Sequence, residues 1–484
     1  MTDDAQHFDI ALVGSGSANS LPGPELAGSS IVQIDRGVGP RGVFGGTCLN
    51  LGCIPTKMFV HTANLAHTPA ISGRFGLSQQ LRHVDWPEIR DRIFGRIDPI
   101  SDGGEQYRRD HPDNANLTLL RGTARFTGPK TLEVTAAADT DGPRTRRITA
   151  DTIVLGAGSR PELPPIPGLA EAQPHTSDTI MRIPELPASL AILGSGVIAV
   201  EMAHIFASLG VEVTLIARRD RVLRGADPEI SARLTEILDA RLHLEKNLDV
   251  ASVQRTADGV ELRGPRDGGE AVVRAQELLV AVGRRPNSDL LDVAAAGIDT
   301  AANGRVLVDP YQRVLSGGEV LEGVWALGDL SSPFQLKHVA NHELRIVRHN
   351  VLNPEDLRRS DTMPIPSGVF TDPQVAWVGI DERTARERAE QTGRPIRVAR
   401  QDYAGIAYGW ALEDTDGFAK IIVDEETTEI LGVHIIGAEA TTLIQQLIQA
   451  MSTGQTARDI TTTQYWIHPA IPELLENALL QVTA

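Results

Sequence analysis

An apolar run from Phe8 to Val13, broken only by Asp9, opens the chain and stops at Gly14-Ser15-Gly16-Ser17-Ala18-Asn19. Short apolar runs bounded by turn residues predict buried strands. Ile31-Val32-Gln33-Ile34 predicts the next strand, and it ends at Asp35. The cadence returns at Leu190 to Leu193, followed by Gly194-Ser195-Gly196, a helical stretch to Leu209 and a strand from Val211 to Ile216. Strand, glycine-rich turn, helix and strand together open a dinucleotide-binding unit, because glycines let the backbone approach a pyrophosphate. Two such units predict two dinucleotides, with Gly14 and Gly16 at one turn and Gly194 and Gly196 at the other. Asp35 falls about 20 positions past the first turn, where an acid would meet ribose hydroxyls.

The first unit departs from the pattern. Asn19 stands where a third glycine normally permits close helix–strand packing, and Pro22-Gly23-Pro24 disfavours a regular helix just beyond it. Two later apolar runs also end in glycine turns: Thr152 to Leu155 before Gly156-Ala157-Gly158-Ser159, and Gly323 to Leu327 before Gly328-Asp329. Pro161, Pro164, Pro165 and Pro167 mark a linker before the second unit. Beyond residue 360 no phosphate turn appears; strand-like pieces at Ile421 to Val423 and Val433 to Ile436 are followed by an apolar-faced helix from Thr441 to Met451. The expected fold is therefore α/β. It has a Rossmann-like domain at 1–165 completed by 291–360, a second at 166–290, and a C-terminal α+β domain at 361–484.

Composition narrows the class. A chain of 484 residues exceeds one hydrophobic core, and 41% hydrophobic with 23% charged residues fits a globular protein. No apolar run approaches the ~20 residues of a membrane span, and the polar start reads as no secretory signal, so a cytoplasmic home is expected. A net charge of -17 argues against nucleic acid and against an anionic membrane as partners. Only 5 of the 46 basic residues are Lys, so most cationic work falls to Arg.

The second unit's last strand runs into Ala217-Arg218-Arg219, with Arg224 close behind. An NAD site offers an acid there, whereas an NADP site offers Arg to the 2′-phosphate. NADPH is the expected pyridine nucleotide.

The only two cysteines lie in Gly46-Thr47-Cys48-Leu49-Asn50-Leu51-Gly52-Cys53-Ile54-Pro55-Thr56-Lys57. Two cysteines form no disulfide framework and no closed zinc site without help, so a close pair in a reducing compartment points to redox catalysis. In a regular helix Cα atoms five residues apart stand about 8.7 Å apart, beyond the roughly 7 Å a disulfide tolerates. Bridging therefore demands a distorted backbone, which Gly52 and Pro55 accommodate.

These motifs, with Ala281-Val282-Gly283-Arg284-Arg285-Pro286-Asn287 and the C-terminal His468-Pro469-Ala470-Ile471-Pro472-Glu473, resemble the flavoprotein disulfide reductases through almost the whole chain. That is the family of glutathione reductase, lipoamide dehydrogenase and mercuric reductase. GSGSANS from Gly14, FGRIDPI from Phe94, HTSDTIMRIPELP from His175 and QYWIHPA from Gln464 resemble its mycothione reductase branch. The resemblance implies FAD in the first unit and NADPH in the second, with Gly46, Thr47, Ala124, Gly158, Gly283 and Asp329 among the cofactor contacts. It implies a Cys48–Cys53 redox disulfide in which Cys53 faces the flavin and Cys48 attacks the substrate. Lys57 paired with Glu201 is implied beside the flavin. A homodimer is also implied, in which each subunit lends His468, oriented by Glu473, to its partner's cysteines.

The expected activity is NADPH-dependent reduction of mycothiol disulfide. Glutathione disulfide or lipoamide would suit the same apparatus. A flavin-binding subunit without turnover is the reading from another class. The chain ends Leu480-Gln481-Val482-Thr483-Ala484 without a second cysteine pair, which disfavours mercury reduction.

Overall fold

The computed structural model describes residues 5–137, 144–266 and 269–484; Met1 to Asp4, part of the polar start, lie outside it. The first sheet is built from β1 (Gln6–Val13), β2 (Ile31–Asp35), β3 (Leu117–Gly128), β4 (Thr131–Ala136) and β5 (Thr145–Leu155). β1, β2 and the start of β3 run parallel, with Leu12 opposite Gln33 and Asp35 opposite Arg121. The far half of β3 turns antiparallel against β4, and β5 returns beside β1. All the residues of β2 are buried, as a parallel strand covered on both faces requires.

The second unit is a parallel sheet of β6 (Ser189–Leu193), β7 (Glu212–Ala217), β8 (His243–Lys246) and β9 (Glu277–Val280), in the order β9-β6-β7-β8. An antiparallel three-stranded sheet at residues 252–275 lies between β8 and β9 in the chain. β10 (Arg313–Ser316) and β11 (Glu319–Ala326) then rejoin the first sheet through β5, just before the Gly328-Asp329 turn.

Helices set the cysteine segment between the units. α1 (Gly46–Asn50) and α2 (Cys53–Ser72) pack with α3 (Trp86–Asp110), and α2 packs on α4 (Val197–Ser208). α5 (Pro228–Arg241) follows β7, and α6 (Lys337–Leu352) follows the Gly328-Asp329 turn. Phe59, Trp86, Phe94 and Phe206 join in one core linking α2, α3 and α4.

The C-terminal segment is a five-stranded antiparallel sheet, β12 (Pro366–Val369), β13 (Gln374–Gly379), β14 (Ile396–Asp402), β15 (Phe418–Asp424) and β16 (Ile430–Gly437), ordered β12-β13-β16-β15-β14. Helices at Ala440–Thr453 and Glu473–Thr483 share its core. Lys420 of β15, with its side chain only 4% exposed, ties this sheet to the second unit. Its ammonium lies 2.9 Å from Asp227, 2.7 Å from Glu229 and 2.9 Å from Glu382. A buried cation needs such partners. Among the described residues no helix is long and apolar enough to cross a membrane.

The irregularity expected after the first glycine turn is present: no α-helix links β1 to β2, and short 3-10 turns at Ser17–Ser20 and Pro24–Leu26 stand there instead. Proline lacks the N–H and clashes with the preceding turn, so the stretch around Pro22 and Pro24 cannot carry a helix. The second unit keeps its twelve-residue α4.

Candidate active site

The two glycine turns have the same local build. Gly14 N–H donates to Ile34 O (2.8 Å) and Gly194 N–H to Ile216 O (3.1 Å), while Gly156 and Ala281 donate to Val13 O and Leu193 O, each at 2.8 Å. Gly14 has φ +110°, and a Cβ there would collide with the carbonyl of Gly156. Gly46, at φ +79°, would place a Cβ 2.6 Å from Cα of Gly16. The cysteine loop therefore lies directly on the first turn, and Gly45 N–H seals the contact by donating to Ser15 Oγ at 2.8 Å. Thr47 is the second residue of α1.

Cys48 lies inside α1 and Cys53 begins α2, so the five-residue spacing is not helical throughout. The chain breaks at Leu51 and Gly52, and Pro55 falls in the first turn of α2, where its missing N–H costs no bond. Asn50 holds the loop by donating to Phe44 O (2.7 Å) and Gly46 O (3.0 Å). Both cysteines stand as free thiols, Cys48 half-buried and Cys53 exposed. The Cys48 thiol hydrogen-bonds to the Cys53 sulfur, which pushes Cys48 up and brings Cys53 down to about 7. The pair is polarised, with Cys53 the easier thiolate.

Lys57 sits one helical turn beyond Cys53 on the same face of α2. Its ammonium is buried without a hydrogen-bond partner and lies over the ring of Phe370, and burial brings its pKa down to about 8. The expected Lys57–Glu201 pairing differs in detail. Glu201 makes no direct ion pair among the described residues; its Oε1 accepts the Phe370 N–H at 2.8 Å, and its charge favours the Lys57 ammonium. Burial pushes the Glu201 carboxyl up, and Lys57 opposes that.

Asp35 is 6% exposed and already engaged. It accepts from the amides of Ser15 and Gly37, each at 3.0 Å, and pairs with Arg121 of β3. The carboxylate that spacing assigned to ribose is thus first an anchor of the turn, since a buried charge demands partners. Ala124 packs its methyl into the core with Phe126 and Val134, so any ligand contact there falls to the main chain.

Three separated motifs converge at Asp329. Its Oδ2 accepts from Ser159 Oγ (2.6 Å), and Arg284 donates to that same hydroxyl and to Ser159 O, both at 2.8 Å. Asn287 closes the cluster on Gly158 O and Ala157 O. Gly328 N–H is held by the buried Glu343 at 2.7 Å. Gly283 follows β9, and its carbonyl accepts the Glu162 N–H at 3.0 Å.

Arg218, Arg219 and Arg224 project from the loop after β7, exposed and without an ion pair among the described residues. Leu223 N–H donates to Ser195 O at 2.9 Å, tethering that loop to the second glycine turn. His468 Nδ1 lies 3.2 Å from Glu473 Oε2, with 66% of the His468 side chain exposed. Sequence reading missed Phe370, Arg121 and Glu343, whose partners lie far away in the chain and which no local pattern marks; Arg284 was marked by its motif but not its contact with Ser159.

Residues 8–343 match the pyridine nucleotide-disulphide oxidoreductases, and residues 365–479 match the dimerisation domain of those enzymes. The chain belongs to that family. Mycothione reductase of Mycobacterium tuberculosis is 45% identical over 477 residues, covering 98% of this chain and 99% of the relative. Dihydrolipoyl dehydrogenase of Haloferax volcanii is 30% identical, covering 99% and 98%. Mercuric reductase of Lysinibacillus sphaericus is 29% identical over 94% of this chain and 79% of its own length. The HOCl-induced flavoprotein disulfide reductase RclA from Escherichia coli, as its Cu(II) complex, superimposes with a TM-score of 0.83 at 26% identity, covering 99% and 100%.

This oxidoreductase family uses FAD and a pyridine nucleotide. The residues present fit both groups. Gly16 and Gly46 leave a cradle that one Cβ would fill, Lys57 Nζ is an orphaned buried donor, and three arginines beside the second turn have no counter-ion among the described residues.

Proposed function

We propose that this disulfide oxidoreductase reduces mycothiol disulfide to mycothiol, with NADPH as electron source and a homodimer as the working form. The polarised Cys48–Cys53 pair carries the reading, and the 45% identical mycothione reductase supports the substrate. Gly14, Gly16, Gly46, Thr47, Asp35, Gly158 and Asp329 would hold FAD. Gly194, Gly196, Arg218, Arg219, Arg224 and Gly283 would hold NADPH. When bound, these cofactors supply the two electrons that open a Cys48–Cys53 disulfide.

The remaining chemistry belongs to the side chains. Cys48 must lose its proton before it attacks, because the thiolate is the nucleophile. His468 of the partner subunit takes that proton at Nε2, since Nδ1 is turned toward Glu473. Cys48 Sγ attacks one sulfur of the substrate, the substrate S–S bond breaks, and the departing thiolate receives the proton. Cys53 thiolate then attacks Cys48 Sγ, reforming the protein disulfide and releasing the second thiolate, which takes a proton from solvent. Each turnover converts one disulfide, two electrons and two protons into two thiols. Lys57 holds positive charge beside Cys53 as that sulfur becomes anionic.

Anaerobic NADPH oxidation with mycothiol disulfide, glutathione disulfide and lipoamide in parallel tests the reading. A rate with mycothiol disulfide at least ~100-fold above the others is expected. Preference for another disulfide overturns the substrate and keeps the mechanism, whereas no turnover with any of them overturns the enzymatic reading.

A further inference from the structure

A dinucleotide pyrophosphate carries two negative charges, and a glycine turn usually meets them with the positive end of the helix it opens. The second turn of this chain has that helix in α4. The first has only the four-residue 3-10 turn at Ser17–Ser20, too short to sum peptide dipoles along an axis. The charge has to come from elsewhere.

Two cations reach the first turn from distant parts of the chain. Lys337, the first residue of α6, donates from Nζ to Ser17 Oγ at 2.9 Å across 320 residues of sequence. Arg108 of α3 lies behind the turn and is 9% exposed. Its Nε donates to Asn19 Oδ1 (3.0 Å), Nη2 to Asn19 O, and Nη1 to Asn114 Oδ1 (2.8 Å). Asn19 Oδ1 also accepts from the fully buried Gln33, whose amide donates in turn to Gly14 O. The asparagine that replaces the third glycine is therefore the handle by which Arg108 grips the turn.

Neither cation has a carboxylate partner among the described residues. The nearby acid, Asp35, is taken by Arg121. A buried guanidinium bonded only to neutral oxygens is electrostatically incomplete and is stabilised when an anion arrives. We propose that Lys337 is a pyrophosphate-binding residue of the FAD site, and that Lys337 and Arg108 together replace the missing helix dipole. This rests on reading the Gly14–Gly16 turn as the FAD turn.

The dissociation constant of FAD from the diluted holoenzyme, followed by the rise in flavin fluorescence over a series of salt concentrations, tests it. Lys337→Met is expected to weaken FAD ~10- to 100-fold, as loss of a charge-assisted hydrogen bond does, and to flatten the salt dependence. Lys337→Arg should restore most of the affinity, and pyridine nucleotide binding at the second turn should be unmoved in both variants. Lys337→Met holding FAD as tightly as the natural chain, with the same salt dependence, overturns the proposal; so does weakening that Lys337→Arg fails to rescue. Gly16→Val separates the underlying reading: if that variant keeps FAD, the turn itself was misassigned.

Discussion

The Lys57 ammonium rests over the ring of Phe370, a residue 313 positions away that sequence reading did not associate with the redox centre. The ring excludes water from one side of the cation, and burial holds Lys57 near 8 rather than the usual 10.5. The unfolded chain binds the additional proton between those values, so Lys57 costs stability below about pH 8 and the cost fades as pH rises toward 10.5. Phe370→Ala should admit water and move Lys57 up toward its usual value. With five lysines in the chain, NMR titration of isotopically methylated protein resolves the shift directly. An unmoved Lys57 resonance in the variant would show that the ring is not what holds it down.

The cysteine pair makes a second titration prediction. Cys53 is a thiolate near neutrality because Cys48 donates to it. Cys48→Ala removes the donor and should raise Cys53 from about 7 toward the ordinary 8.5 to 9, whereas Cys48→Ser keeps an O–H donor and most of the depression. Thiolate absorbance titration of the reduced protein reads this cleanly, since each variant contains one cysteine. Disulfide reduction should fall at least ~1000-fold in both, and unchanged turnover in Cys48→Ser would remove the mechanism altogether.

Selectivity between pyridine nucleotides should reside in the loop after β7. Arg218→Ala with Arg219→Ala is expected to raise KM for NADPH by ~10-fold or more while KM for NADH changes little, because only NADPH carries the 2′-phosphate. Equal effects on both nucleotides would mean that these guanidiniums serve solvent rather than the ligand.

His468 and Glu473 give a test of subunit sharing. His468→Gln and Cys48→Ser should each be nearly inactive alone. If the centre is shared, a mixed dimer of the two variants contains one site with every group intact, so co-expression should recover activity. Mixed dimers that stay inactive would confine the site to one subunit. Glu473→Gln should be milder, near ~10-fold, with an altered pH profile, because it orients the ring without touching substrate.

Much of this was legible because it is local. The strand, turn and helix around Gly194 are written in consecutive residues, and so is the irregularity after Gly14, announced by Pro22 and Pro24. The cysteine spacing also forced a break in helical geometry, found at Leu51 and Gly52. What stayed hidden is side-chain traffic between distant segments. Asp35 was read from its distance to the turn, but nothing near it signals Arg121, the residue that occupies it. Glu201 was read as paired with Lys57, but nothing local signals Phe370, whose amide holds the one and whose ring lies against the other. Asn19 looked like a defect of the first turn until Arg108, 89 residues on, was found gripping it.

The three-carboxylate clasp on Lys420 also bears on how separable the parts of this molecule are. The domain limits expected near residues 290 and 360 are not lines along which the chain could be cut. A fragment ending at 360 would lose Lys420 from between Asp227 and Glu229, the aromatic cover of Lys57 and the amide that holds Glu201. Three acids, Asp227, Glu229 and Glu201, would lose partners in what remained, and Lys57 would lose the ring that covers it. The C-terminal sheet is thus a wall of the nucleotide units as well as a surface for a second subunit, and the redox centre is inherited whole or not at all.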